Sequence, residues 1–210
     1  MALGAVGKKE SLSEKAYGML REAILDGELK AGDILTEEGV ADLMQISRTP
    51  VRSALQQLTL EGMLRTERKN LVVAAVREEE LNDIDQVRAE LESLSAELSC
   101  RRGLSRTQAE ELLGYCRQQK EAAQKKDVRT FFLSGEQFHV RLAEFSGNRY
   151  LAEMISRASA AAVRYLTNQK DPGQYLDASG EEHEAVLKTI LKGNAEEARV
   201  KMKQHVQKDA

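Results

Sequence analysis

Three histidines, the only ones in this chain of 210 residues, are spaced so that they could bind one metal ion: His139, His183 and His205. The dipeptide Gly193-Asn194 predicts a turn between two helices, and it lies midway between the last two histidines. In an antiparallel hairpin those two imidazoles lie at the same height on neighbouring helices. Glu136 precedes the first histidine by three residues, so both side chains can share one helix face. Together they indicate a divalent metal site, for which imidazoles favour Zn²⁺ or Ni²⁺. Taken singly, each histidine could equally be a polar residue of a helix surface or core.

A second stretch, residues 47–58, has the residue types that read DNA. Ser47 is a typical helix N-cap, whose hydroxyl accepts a bond from a first-turn amide, and Pro50 is tolerated in that turn. An apolar stripe follows at helical spacing: Val51, Leu55 and Leu58. The side chains off that stripe are polar or basic: Arg48, Thr49, Arg52 and Gln56. A helix of this kind suits the DNA major groove, although an ordinary amphipathic surface helix is the alternative. We call it the reading helix.

The segments on either side of the reading helix predict a winged helix-turn-helix. Residues 36–44 have the pattern of a short capped helix, and Gln45-Ile46 leaves only a tight turn before the reading helix begins. Downstream, residues 62–66 and 71–74 are strand-like. The four residues between them, Glu67 to Asn70, predict a hairpin with a basic tip, which is the wing.

The remainder of the chain predicts a bundle of six helices, separated by short breaks at residues such as Gly103 and Pro172: 78–101, 105–125, 127–146, 148–170, 175–192 and 195–208. Short connections favour antiparallel packing. Upstream, residues 11–25 predict one further helix, which Gly27 ends. We therefore expect a mainly α protein in three parts: a flexible arm (1–10), a winged helix-turn-helix DNA-binding domain (11–76) and an all-helical domain for effector binding and dimerisation (77–210).

The charge of the chain is unevenly distributed. The formal net charge is −3 and the pI is near 5.8, which argues against non-specific coating of nucleic acid. Between Ser47 and Asn70, however, there are five basic and two acidic side chains. This positive footprint is small, so we expect salt-dependent binding that needs two copies of the domain side by side. The expected partner is a pseudo-palindromic DNA duplex bound by a homodimer.

The composition also bears on the compartment. The chain has no long apolar run, so the sequence predicts no membrane span, and residues 1–7 are too short for a signal peptide. Cys100 and Cys116 lie far apart and outside any CxxC pattern. This usage fits reduced thiols, so we expect a cytoplasmic protein.

The winged segment resembles the GntR superfamily of bacterial transcription regulators. It shares the run from Ser47 to Arg52, at a characteristic offset from Gly32-Asp33. The resemblance implies operator contacts from four residues of the reading helix: Ser47, Arg48, Thr49 and Arg52. It also implies minor-groove contacts from the wing tip: Arg68 and Lys69.

Two residues depart from the pattern of that superfamily. Glu38 stands where many relatives have a DNA-contacting arginine, which would weaken or redirect one contact. Asn70 stands where the wing usually has glycine. Because asparagine tolerates a left-handed turn, we expect the hairpin to persist.

Residues 78–210 resemble the FCD ligand-binding domain of the FadR subfamily, and six helices suggest its shorter, VanR-like branch. The resemblance rests on several short matches: Arg88 to Glu92, Phe138-His139, Gly147-Asn148 and Glu182-His183. It implies that the three histidines bind metal, together with an aspartate four residues before the first of them. Gly135 holds that position here. The metal would thus have three protein ligands and an open position for water or effector, or Glu136 would replace the aspartate.

A metal ion with an open position attracts a carboxylate, and an arginine nearby can clamp that carboxylate with two hydrogen bonds. Arg88 matches the family's first-helix arginine and is the predicted effector-binding residue, although a surface ion pair with Glu92 would also explain it. We therefore expect a DNA-binding transcription regulator controlled by a small organic acid. The alternatives are a metal-dependent hydrolase that uses the three histidines, and a regulator whose effector site has degenerated.

Overall fold

The computed structural model describes residues 11–75, 77–169, 171–176 and 179–207. The predicted arm, residues 1–10, lies outside the described residues. The chain forms two compact units that meet in sequence between Ala74 and Ala75. The described residues are mainly helical, as predicted, and the one small sheet belongs to the N-terminal unit. None of the described helices combines the length and apolar character needed to cross a bilayer.

The N-terminal unit is a winged helix-turn-helix, which confirms the sequence prediction. Residues 11–74 of this unit form three helices, α1 (Leu12–Leu25), α2 (Glu37–Met44) and α3 (Arg48–Leu60). The same residues form three short strands: β1 (Ile34–Leu35), β2 (Leu64–Glu67) and β3 (Asn70–Val73). Both neighbours of β3 are antiparallel to it, in the order β1-β3-β2. The β2–β3 hairpin is the wing, and α3 is the reading helix.

The reading helix is held by its apolar stripe. Val51, Leu55 and Leu58 are at most 1% exposed, and α1, which packs against α3, buries Leu20 and Ile24. Burial of one such side chain contributes about 1.5–3 kcal/mol. This face therefore anchors α3 and leaves its polar face at the surface.

Two details of this unit differ from the predictions. Ser47 occupies the N-cap position with extended backbone, but its hydroxyl makes no capping hydrogen bond. In the wing, Arg68 and not Asn70 adopts the left-handed conformation, with φ of 56°. Asn70 pairs with Glu67 at the start of β3, so the turn consists of the two residues between them. In this two-residue turn the positive φ belongs to the first residue, Arg68.

The C-terminal unit has six α-helices among the described residues: α4 (Glu78–Arg102), α5 (Arg106–Lys125), α6 (Val128–Phe145), α7 (Arg149–Thr167), α8 (Ser179–Leu191) and α9 (Ala195–Gln207). Helix α7 ends three residues before the prediction, where the Asn168 side chain donates to the carbonyl oxygen of Arg164. A 3-10 helix, Pro172–Tyr175, then precedes α8. The helix predicted for residues 175–192 therefore begins only at Ser179.

Two packing features of this unit position the candidate site. Helices α8 and α9 form a tight hairpin through Gly193, whose φ of +78° suits glycine. The core between helices α4, α5, α6, α8 and α9 is apolar, and its large members include Leu112, Phe138, Leu142 and Met202. Polar side chains inside this core therefore need partners within it.

Candidate metal centre and nucleic-acid interface

The three histidines come together in the core of the C-terminal unit. Helices α6, α8 and α9 each supply one, and all three are at least 94% buried: His139, His183 and His205. The Nε2 atom of His183 lies 3.0 Å from that of His139 and 2.8 Å from that of His205. The placement of His183 beside His205 confirms the geometry predicted from the α8–α9 turn. Their nitrogen atoms form a group within 4.8 Å that could hold a metal ion.

The opposite ring nitrogen of each histidine faces an oxygen atom. Nδ1 of His183 lies 2.7 Å from Oε1 of Gln119, and Nδ1 of His205 lies 2.8 Å from Oε2 of Glu182. Nδ1 of His139 lies 2.7 Å from Oε2 of Glu92, although not in hydrogen-bond geometry. Hydrogen bonds to oxygen acceptors place the proton of His183 and of His205 on Nδ1, and the Glu92 carboxylate beside Nδ1 of His139 favours the same tautomer there. In these tautomers the three Nε2 lone pairs point towards one another.

Convergent lone pairs repel unless a cation lies between them. Burial lowers the pKa of His139, and burial together with the neighbouring histidines lowers the pKa of His183 well below its ordinary value. Neutral imidazoles of this kind are metal ligands. Tetrahedral Zn²⁺ with bonds of about 2.0–2.1 Å separates its nitrogen ligands by roughly 3.3 Å. The Nε2 distances from His183 to His139 and to His205 are within a few tenths of an ångström of that spacing, so the donor set fits a divalent metal.

Gln119 occupies the space beside Gly135, where the resemblance implied an aspartate. A Cβ atom on Gly135 would lie 2.7 Å from Nε2 of Gln119 and 3.8 Å from Cε1 of His183. Glu136 is buried, but the potential ligand group among the described residues contains only the three histidines. The structure therefore does not support Glu136 as a replacement ligand.

Arg88 lies next to this centre as part of a buried ion-pair chain. Its Nη1 is 2.8 Å from Oδ1 of Asp85, and its Nε is 2.8 Å from Oε1 of Glu92. Burial alone would raise the pKa of Glu92, but the interactions of its carboxylate with Arg88 and His139 outweigh it and lower that pKa to about 2. The pair with Glu92 considered from the sequence is thus present, but it is buried rather than exposed. Arg88 therefore binds one carboxylate oxygen of Glu92, and the other oxygen lies beside Nδ1 of His139.

Sequence reasoning missed the residues that orient the histidines. The sequence match gave Glu182 only as the neighbour of His183, but its carboxylate contacts Nδ1 of His205 across the α8–α9 hairpin. Gln119 had a detectable signal, because it follows Leu112 and Cys116 on one buried helical stripe where an apolar residue is usual. The only sequence signal for Glu92 was its position four residues after Arg88, which predicts an ion pair and not a contact with a histidine.

The predicted DNA-binding residues are accessible on the surface of the N-terminal unit, all six being exposed: Ser47, Arg48, Thr49, Arg52, Arg68 and Lys69. Two of them pair with acidic residues of α2. Nη2 of Arg48 is 2.6 Å from Oε1 of Glu38, and Arg52 makes two 2.7 Å bonds to Glu37. The bond from Arg52 lowers the pKa of the Glu37 carboxyl.

These two ion pairs do not block the reading helix. The side chains of Arg48 and Arg52 remain 60% and 59% exposed. Exposed pairs of this type contribute little to stability, so a phosphate or a guanine edge can replace the carboxylate. Glu38, at the position where relatives carry arginine, instead restrains Arg48 in the free protein.

Comparison with known families gives two matches that follow the two units. Residues 12–72 match the family described as "Bacterial regulatory proteins, gntR family". Residues 83–208, more than half of the chain, match the family described as "FCD domain". Together the two matches span both units.

Two curated relatives are similar over nearly the whole chain. The "HTH-type transcriptional repressor GlaR" of Escherichia coli (strain K12) is 26% identical over 198 residues, which is 90% of each chain. The "Uncharacterized HTH-type transcriptional regulator YdhC" of Bacillus subtilis (strain 168) is 25% identical over 197 residues, which is 90% of this chain and 84% of that one. These relatives are transcription regulators by name.

Solved structures show the same fold. The structure titled "E. coli McbR/YncC" has a TM-score of 0.78 at 23% identity and covers 96% of both chains. A transcriptional regulator described as GntR from Rhodococcus sp. RHA1 has a TM-score of 0.72 at 19% identity and covers 94% of both chains. The likeness therefore extends through both units.

Proposed function

This chain belongs to the gntR family of bacterial regulatory proteins and carries an FCD domain, and from that premise we propose that a small carboxylate bound in its helical unit controls its affinity for operator DNA. The protein is a DNA-binding transcription regulator and not an enzyme. Its family thus argues against the hydrolase alternative. We place the protein in the cytoplasm, where it meets both DNA and metabolites.

The proposed DNA contacts follow from the accessible face of α3. Arg48, Thr49 and Arg52 would enter the major groove, with Ser47 at the helix start beside the backbone. Arg68 and Lys69 at the wing tip would reach the minor groove. Two copies of so small a footprint are needed for tight binding, so we infer a homodimer on a pseudo-palindromic operator.

The proposed effector site is the three-histidine centre, and one observation carries it: three Nε2 atoms converge, while the Nδ1 atoms of His183 and His205 are within hydrogen-bond distance of oxygen acceptors. His139, His183 and His205 would hold a divalent ion, for which Zn²⁺ or Ni²⁺ is favoured. The metal would supply a Lewis-acidic position open to water or to a carboxylate oxygen. Gln119 and Glu182 would keep the imidazoles oriented.

Arg88 as an effector ligand stays a prediction. Its guanidinium is bonded to Asp85 and Glu92, so an incoming carboxylate would have to compete with both. We infer that its first role is to position Glu92 behind His139. An effector contact would require one of these buried bonds to open.

A gel-shift experiment with the DNA upstream of the gene tests this function. Wild-type protein is expected to bind one upstream fragment specifically, and at least one small carboxylate should change that affinity by about 5-fold or more in the presence of Zn²⁺. Arg52→Ala should weaken binding by about 1–3 kcal/mol. Arg157→Ala, which removes an exposed arginine from α7, is the matched control and should bind normally. Absence of specific binding to any upstream fragment would refute the proposal.

A further inference from the structure

The buried side chain of Gln119 uses only one of its two polar atoms. Its Oε1 lies 2.7 Å from Nδ1 of His183, and this is the only hydrogen bond of the side chain among the described residues. The residue is 3% exposed. Nε2 thus has no acceptor, although a buried amide normally pairs both polar atoms. Yet it is not one of the fully enclosed, unpartnered atoms of the described residues, so part of its surface is accessible.

Metal binding fixes which way this amide points. An imidazole that binds a metal through Nε2 carries its proton on Nδ1, so Nδ1 of His183 needs the oxygen of the amide and not the nitrogen. Nε2 of Gln119 then faces the space beside Gly135. A Cβ atom on that glycine would lie 2.7 Å from Nε2 and 3.8 Å from Cε1 of His183. The unpaired donor therefore lies beside the imidazole, where the resemblance implied an aspartate ligand.

A donor in this place has the opposite chemistry to an aspartate. Aspartate would give the metal an anionic ligand, whereas an amide N–H cannot bind a cation and can only donate to an acceptor. The three imidazoles supply no negative charge either. The arrangement therefore suits an acceptor that is anionic and comes from outside the protein. Nε2 is also available without breaking a bond, whereas the guanidinium of Arg88 is bonded to Asp85 and Glu92.

We propose that Nε2 of Gln119 donates a hydrogen bond to the carboxylate that completes the metal centre. One carboxylate oxygen would bind the metal and the second would accept from the amide, since the two oxygens can serve two partners. The inference rests on the proposed function and deepens it, because it assigns recognition of the effector to Gln119 rather than to Arg88. It also gives Gly135 a role, since a side chain there would push the amide out of this place.

Acetate titrations of the full chain, loaded with Co²⁺, test the contact. Co²⁺ binds nitrogen ligands of this kind, and its visible absorption changes when a further ligand joins the metal. Two variants are measured at saturating Co²⁺: Gln119→Leu removes the donor without adding charge, and Gln119→Glu keeps an oxygen for Nδ1 of His183. The acetate Kd should rise about tenfold or more in both, because a hydrogen bond to a charged group is lost. Gln118→Glu, at the exposed neighbouring position, should leave it within about twofold of wild type, because solvent and salt screen that charge.

Thiocyanate is the ligand control, because it carries the same charge as acetate but has no second oxygen. Its Kd should change less than the acetate Kd in both Gln119 variants, and Gln119→Glu decides the question if Gln119→Leu does not load metal. Equal losses for the two ligands would assign the effect to charge or metal geometry and overturn the hydrogen bond. Unchanged acetate binding in the variants would also overturn it, while the metal-bound effector of the proposed function would stand. If acetate left the absorption of the wild type unchanged, the proposed effector site itself would fail, and this contact with it.

Discussion

Gln119 connects the departure at Gly135 to the orientation of His183. It fills the space that a side chain at position 135 would need, and its Oε1 lies 2.7 Å from Nδ1 of His183. Residues behind metal-bound histidines typically change metal affinity 10- to 100-fold when they are replaced. The residue that occupies the place of a fourth protein ligand therefore also orients one of the three proposed ligands.

Gln119→Leu should weaken Zn²⁺ binding by about 10- to 100-fold, because His183 loses the acceptor that fixes its proton on Nδ1. Competition with a chromogenic chelator measures this affinity. The neighbouring Gln118→Leu is the matched control, since Gln118 is exposed on the same helix and should leave binding unchanged. Equal Zn²⁺ affinities for the two variants would contradict the role of Gln119.

The histidines should also make the stability of the metal-free protein depend on pH. The folded-state pKa values of His139 and His183 lie below the unfolded value near 6.5, so the unfolded chain binds more protons. The free energy of unfolding should therefore fall as the pH drops from 7 to 5, by at most about 1.4 kcal/mol per histidine per pH unit. Urea unfolding with EDTA measures this slope. His183→Asn should make it shallower, and identical stability of the wild type at pH 7 and pH 5 would contradict the expectation.

At the scale of elements, the wing shows how a two-residue turn sets local strain. Arg68 has φ of 56°, a conformation that costs a residue with a Cβ atom about 1 kcal/mol or more. Lys69, the other residue of the turn, is not among the residues with positive φ. The strained residue is also one of the two basic side chains proposed to contact the minor groove.

Arg68→Gly should raise the free energy of unfolding by up to about 1 kcal/mol, because glycine accepts positive φ without steric cost. Lys69→Gly should instead lower it by roughly 0.5–1 kcal/mol, because glycine only adds freedom to the unfolded chain. Both variants remove one basic side chain, so both should weaken operator binding. Chemical unfolding and fluorescence anisotropy measure the two quantities. Stabilisation by Lys69→Gly, or its absence in Arg68→Gly, would contradict the assignment of strain.

The sequence predicted elements better than the details of their ends. The apolar stripe of α3 and the glycine turn between α8 and α9 are local patterns, so the reading helix and the pairing of His183 with His205 could be predicted. The first residue of α8 and the left-handed conformation of Arg68 depend instead on the backbone path of the short connections in which they lie. Gln119 and Glu92 reach the histidines from other helices, and only tertiary packing determines that approach. A single sequence contains no direct signal for it.

At the scale of the whole molecule, the charge distribution separates two tasks. The net charge is −3, yet the segment from Ser47 to Asn70 carries five basic and two acidic side chains. The basic residues proposed to contact DNA are therefore grouped in the winged unit, and we propose that buried polar and ionic groups of the helical unit serve ligand recognition. Under the proposed control, coupling between effector and operator binding is reciprocal, so each ligand would change the affinity of the other by the same factor.

The most direct test of the proposed control is the operator Kd, measured by fluorescence anisotropy on zinc-loaded and EDTA-treated wild-type protein, with and without the active carboxylate. The carboxylate should change Kd by about 5-fold or more in the zinc-loaded protein, and by much less after the metal is removed. The same change with and without zinc, or no change in either state, would contradict the proposed control.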